Sequence, residues 1–103
     1  MTFDPTVDIE NEIAHRIIRN TVENTSGKVI FSNHARDRMR QRNYSFQDVQ
    51  YILLNGKITG KEFKKETRTW AYTLRGDDLE GDEGGVVTAI INEWSSVIIT
   101  VLS

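Results

Sequence analysis

The chain has 103 residues, a net charge of −2, and a composition that is 38% apolar and 27% charged. It has no cysteine, which excludes a disulfide framework and a thiolate metal site. No apolar run approaches the roughly 20 residues that a membrane-spanning helix needs. Met1–Glu10 also lacks the basic start and apolar run of a secretory leader, so the expected location is cytoplasmic.

Residues 4–24, from Asp4 through Pro5 to Asn24, read as an amphipathic helix within an N-terminal segment of residues 1–27. Ile9, Ile13 and Ile17 recur every fourth residue, with Ala14 and Ile18 beside them. Asp4 is the expected cap and Pro5 the first helical residue. An exposed isoleucine stripe invites association, so a homodimer is one expected partner state. "KVIFS" is a short β-branched and aromatic run, expected as a strand. Ser32 then suits an N-cap for a short helix over residues 34–42. Ser45 with Asp48 matches a capping box, Tyr44 can staple onto Val49, and Val49, Ile52 and Leu53 form the apolar face of a second short helix. Asn55-Gly56 stops it.

From Lys57 the period switches to two. "KITGKEFKK" reads as a polar strand, and in "TRTWAYTLR" the residues Trp70, Tyr72 and Leu74 share a face with Arg68 at its end. "GDDLEGDEGG" reads as a mobile loop, and its acids lack the spacing of an EF-hand. "VVTAIIN" and "SVIITVLS" are nearly continuous apolar strands, expected at the centre of the sheet. The connections are too short for crossovers, so antiparallel neighbours are expected. The fold class is therefore α+β: one domain over residues 1–103, with helices on one face of a twisted antiparallel sheet of about four strands.

Charge is distributed unevenly along this order. Residues 1–27 hold two bases against five acids, residues 28–75 eleven bases against four acids, and residues 76–103 six acids and no base. A basic segment attracts polyanions through phosphate contacts and counterion release. Its densest part is "SNHARDRMRQRN", Ser32 to Asn43. On a helix at about 100° per residue, His34, Arg38 and Arg42 fall in one narrow sector beside Ala35 and Met39, while Arg36 and Arg40 lie on the far side.

Metal-free RNA cleavage needs a group to take the 2′-hydroxyl proton and cations to meet the phosphate. Histidine is the side chain suited to proton transfer near neutral pH. Arginine stays charged and grips phosphate through a planar fork. His34 at a helix start stands where the dipole favours a neutral ring, which is a base. The plainer alternative is a capping histidine beside arginines whose stems cover apolar surface. His15, with no arginine row, reads as structural. Lys64, Lys65, Arg68 and Tyr72 form a second basic and aromatic set, suited to single-stranded nucleic acid. Its alternative is an edge strand guarded by lysines.

The run from Phe31 to Ile58 resembles domain-of-unknown-function family four-two-five-eight. The matching residues are His34, Ala35, Arg38, Met39, Arg42, Ser45, Val49 and Gly56. Thr100 stands where that family has a hydroxyl residue in its C-terminal strand, and the resemblance covers about residues 29–102. Families of this kind look like the RelE, ParE and BrnT toxins, metal-independent ribonucleases. The resemblance implies a RelE-like core, cleavage of RNA with or without the ribosome, and no metal or cofactor. It also implies a cognate antitoxin as partner, with His34, Arg38, Arg42 and Thr100 as the site. The competing expectation is a non-catalytic nucleic-acid- or protein-binding module.

Overall fold

The computed structural model describes residues 3–102. Three helices and five strands follow one another as α1 (Asn11–Glu23), β1 (Lys28–Phe31), α2 (Asn33–Arg42), α3 (Phe46–Asn55), β2 (Lys57–Lys64), β3 (Thr69–Asp77), β4 (Glu83–Asn92) and β5 (Ser95–Leu102). The strands form one sheet in the order β1-β5-β4-β3-β2. The α+β class is as expected, but the sheet is mixed and has five strands. β2 to β5 pair antiparallel, as their short connections require, whereas β1 adds at the edge of β5 in parallel, with Ile30 opposite Val97. A parallel neighbour needs a long crossover, and the chain from α2 to β4 supplies it. The expected last strand ran to Ser103, which lies outside the described residues.

Alternation sorts the strand residues. Tyr72, Leu74, Val86, Ile90, Ile98 and Val101 turn to one face and meet Ala14 and Ile18 of α1, Ala35 and Met39 of α2, and Val49, Ile52 and Leu53 of α3. A β-bulge between the pairs Val87–Thr100 and Thr88–Ile98 keeps Ile98 and Val101 on this inner face although they are three residues apart. Among the described residues the opposite face carries no helix. Across it run Ile30, Val97, Ala89 and Ala71, and, in the next row, Thr100, Val87 and Thr73.

The N-terminal segment differs from its expectation in two ways. Residues 4–10 are not helical: Asp4 caps a turn, accepting from the Thr6 amide and hydroxyl, and α1 begins only after Glu10. An Asp-Pro pair serves a turn as readily as a helix start. The buried stripe of α1 is Ala14, Ile18 and Thr21, whereas Ile13 remains 41% exposed. The rotation follows from what α1 does at the end of α3. His15 Nε2 donates to the Leu53 carbonyl at 2.8 Å and Arg19 Nε to the Leu54 carbonyl at 3.2 Å. These carbonyls belong to the last turn of a helix, where no intrahelical donor remains. His15 is structural, as expected.

The strands also extend further than expected into the acidic segment. β3 reaches Asp77 and β4 starts at Glu83, because the ladder uses backbone groups and is indifferent to side-chain charge. The remaining loop is tied down by Asp78, buried, whose carboxylate accepts from the amides of Glu80 and Asp82.

Candidate functional site

Local sequence fixes the position of α2. Ser32 Oγ accepts from the Ala35 amide at 3.0 Å, which caps the helix, and donates to the Ile99 carbonyl at 3.1 Å. The Ser32 amide donates to the Ile98 carbonyl. The start of α2 is thus pinned to β5 just where β1 stops pairing. Asn43 ends the helix in the left-handed conformation, with φ of 59°. Two residues on, Ser45 and Asp48 complete the expected capping box and begin α3. Asp48 accepts from the Ser45 amide, and from the Leu79 amide of the β3–β4 loop, and the Ser45 contact above all holds its carboxyl below its ordinary range.

With Ala35 and Met39 buried, the two flanks of α2 separate. On the first, the His34 side chain is exposed and Arg38 and Arg42 are half-buried. Arg38 Nη1 donates to Gln41 Oε1 at 3.3 Å. Arg42 lines a hollow of about 250 Å³ with Tyr44 and the acids Asp78, Asp82 and Glu83. Its Nε is buried with no hydrogen-bond partner. Tyr44 closes that end of the helix, donating to the Leu102 carbonyl at 3.3 Å. Burial, then the charges of Asp78 and Asp48, push its hydroxyl pKa up. Gly84 is glycine for a reason here, since a Cβ at that position would collide with the Tyr44 hydroxyl.

Thr100 lies in β5 opposite Val87, on the face of the sheet away from the helices, with its hydroxyl directed at the Val101 carbonyl at 3.5 Å. Among the described residues no hydrogen bond joins any two of His34, Arg38, Arg42 and Thr100. Of the four, Arg42 alone lines the hollow by the β3–β4 loop. The structure places three of the candidates along one flank of α2 and the fourth on the neighbouring strand.

The second basic set divides. Tyr72 is 1% exposed and belongs to the core, where burial pushes its hydroxyl up to about 12, so it offers no ring for stacking. The reason is the alternation itself: Tyr72 shares the inner face with Leu74. Lys64 pairs with Glu62 at 2.5 Å. Arg68 is not part of a strand; it occupies the β2–β3 turn with φ of 56°. Its charge helps lower Asp4, although the Thr6 hydroxyl does more. Lys65 stands exposed in the same turn.

The flank of α2 that the spacing set aside has its own surroundings. Arg36 and Arg40 border a hollow of about 260 Å³ shared with Ser45, Phe46 and Gln47 at the start of α3. Phe46 precedes Val49 by three residues and Leu53 by seven, in phase with the buried stripe, so the sequence carried no signal that its ring would stand 46% exposed at this hollow. A third and larger groove, of about 690 Å³, runs along α1 past Phe3, Ile13 and Ile17.

Among the described residues no group of three or more His, Asp or Glu side chains is placed to hold a metal ion. No helix there is long and apolar enough to cross a membrane. An α+β domain with a basic helix set against an otherwise antiparallel sheet is the class these observations define. Residues 31–103 match the family described as Domain of unknown function (DUF4258), and the chain belongs to that family. No curated protein and no solved structure matches the chain.

Proposed function

We propose that the chain is a toxin-type endoribonuclease acting without a metal, with the first flank of α2 as its catalytic edge. One observation carries this reading: of the two histidines, His15 is engaged by Leu53 and half-buried, while His34 is exposed, with no hydrogen bond among the described residues, at the head of two arginines one turn apart. A free imidazole nitrogen can take the 2′-hydroxyl proton. The 2′-oxygen then attacks the adjacent phosphorus, the bond from phosphorus to the 5′-oxygen breaks, and the imidazolium returns its proton to that oxygen. The products are a 2′,3′-cyclic phosphate and a 5′-hydroxyl end. Arg38 and Arg42 meet the non-bridging oxygens, whose charge grows as the bond forms. Thr100, on the face of β5 away from the helices, has no part in this step.

The setting that goes with this activity is cytoplasmic, with free or ribosome-bound RNA as substrate, an antitoxin as inhibitor, and a second copy on the groove along α1. A second reading, a non-catalytic binding module, is favoured by one specific observation. His34, Arg38 and Thr100 do not line the hollow that Arg42 lines.

The test is cleavage of labelled RNA by purified protein in excess EDTA, with and without ribosomes. His34→Ala is expected to slow cleavage about 10²–10⁴-fold. If wild type and His34→Ala behave alike in both conditions, the nuclease reading fails. If RNA binding persists in that case and is lost in Arg38→Ala, the binding module replaces it.

A further inference from the structure

The hollow between α2 and α3 combines three features that a packed protein surface does not need together. Its floor is apolar, since Met39 is buried beneath it. Its wall is a ring: Phe46 is 46% exposed although its neighbours in α3, Val49, Ile52 and Leu53, are wholly buried. Its rim is cationic, with Arg36 and Arg40 on the α2 side.

The ring is held rather than loose. Phe31 packs against it with centroids 4.7 Å apart and planes tilted by 51°, and the Arg36 guanidinium lies 5.6 Å from its centroid. Edge-tilted ring pairs and a cation over a ring face are both favourable arrangements. They fix the orientation of Phe46 while leaving much of it in water. Arg40 is paired with Asp37, but Arg36 makes no ion pair among the described residues. A fixed ring beside an unpaired guanidinium suits a flat ligand that carries negative charge, and a nucleotide within a single strand has both properties.

We infer that this hollow is a second RNA contact, in which one base stacks on Phe46 while Arg36 meets a phosphate of the same strand. The inference rests on the reading that RNA is the ligand. It adds where the strand goes. Arg36 lies on the flank of α2 away from His34, so a strand held at His34 presents a flanking nucleotide at Phe46, not the scissile phosphate. This contact therefore sets affinity and preference for unpaired RNA.

The experiment uses the full chain carrying His34→Ala, so that bound RNA survives. The probes are a fluorescent single-stranded oligoribonucleotide and an abasic ribose-phosphate oligomer of equal length. Base stacking lost by alanine substitution is expected to weaken RNA binding roughly 5–150-fold in Phe46→Ala. Phe46→Leu, which keeps apolar contact with Phe31, is expected to lose most of the same affinity with little change in unfolding midpoint. Its result decides if the alanine variant misfolds. The abasic oligomer is expected to ignore Phe46→Leu and to bind less tightly to Arg36→Gln. Equal RNA affinity with and without Phe46→Leu overturns the inference while leaving RNA as the ligand. Equal binding of the two oligomers overturns it as well. So does an acidic polypeptide such as polyglutamate that displaces RNA and is itself lost with Phe46→Leu, which makes the hollow a protein dock. No RNA binding by the parent chain overturns both this inference and the reading beneath it.

Discussion

The bases of the middle segment gather in two places, α2 and the β2–β3 hairpin, and their surroundings differ. On the hairpin, Lys61 bonds to Asp8 at 2.5 Å and to the Ile9 carbonyl, Lys64 pairs with Glu62, and Trp70 Nε1 donates to the Thr6 carbonyl. Tyr72 is inside the core. Lys61 and Trp70 thus tie the N-terminal segment to the sheet, Lys64 is paired within its own strand, and Lys65 and Arg68 make no ion pair among the described residues. On α2 one arginine in four, Arg40, has an acidic partner among the described residues. Composition cannot separate the two clusters, but partners can. Cations satisfied within the chain are structural, whereas cations held in place without partners are free to meet an external anion.

The sharpest break between the regions lies at Tyr72. If it is core, Tyr72→Ala should cost about 3–5 kcal/mol of stability, read by denaturant unfolding. Tyr72→Phe should leave RNA affinity unchanged. An affinity loss in Tyr72→Phe with normal stability would mean that the Tyr72 hydroxyl reaches the RNA, against its burial in the core.

Arg42 comes next. Hydrogen bonds to charged groups are worth about 1.5–3 kcal/mol, so losing a guanidinium–phosphate contact should weaken RNA binding roughly tenfold or more. Arg42→Lys keeps the charge but loses the fork, and should show much of that loss in fluorescence titration.

The effect at Asp48 is smaller and depends on pH. Its carboxyl is held below its ordinary range in the folded chain, so it adds stability above the unfolded-state value, and that contribution fades as pH falls through the folded one. Asp48→Asn should therefore flatten the acid side of a plot of unfolding midpoint against pH. An unchanged acid limb would mean the capping box contributes little. Lys64→Ala should do least of all. Its pair is at the surface, where ion pairs contribute little, so the unfolding midpoint should stay where it is.

How much of this was legible depended on how local each signal was. Ser32, Ser45 with Asp48, and the Trp70-Tyr72-Leu74 alternation are settled within a few residues, and those elements stand as expected. The parallel pairing of β1 with β5 joins segments far apart in sequence, and four residues of β1 carry no mark of their partner. The rotation of α1 is set by His15 and Arg19 reaching carbonyls of α3, which no helical wheel of α1 alone contains. Arginine spacing identified the two flanks of α2 correctly. It did not show that Phe46 would stand over the far one. Arg42 was legible as a cation, but the acidic residues beside it come from a loop whose fold depends on Asp78.

The measurement that addresses the contrast between α2 and the hairpin most directly is the salt dependence of RNA binding. Each phosphate neutralised on a single strand contributes roughly 0.7 to the slope of log K against log salt. The chain carrying His34→Ala is compared with the same chain plus Arg38→Gln and Arg42→Gln, and with the same chain plus Lys61→Gln and Lys64→Gln. The expected result is a slope reduced by about 0.7 in the α2 variant, whose two arginines meet one phosphate, and unchanged in the hairpin variant. An unchanged slope in the α2 variant, with the loss in the hairpin variant instead, would contradict the assignment of RNA to α2.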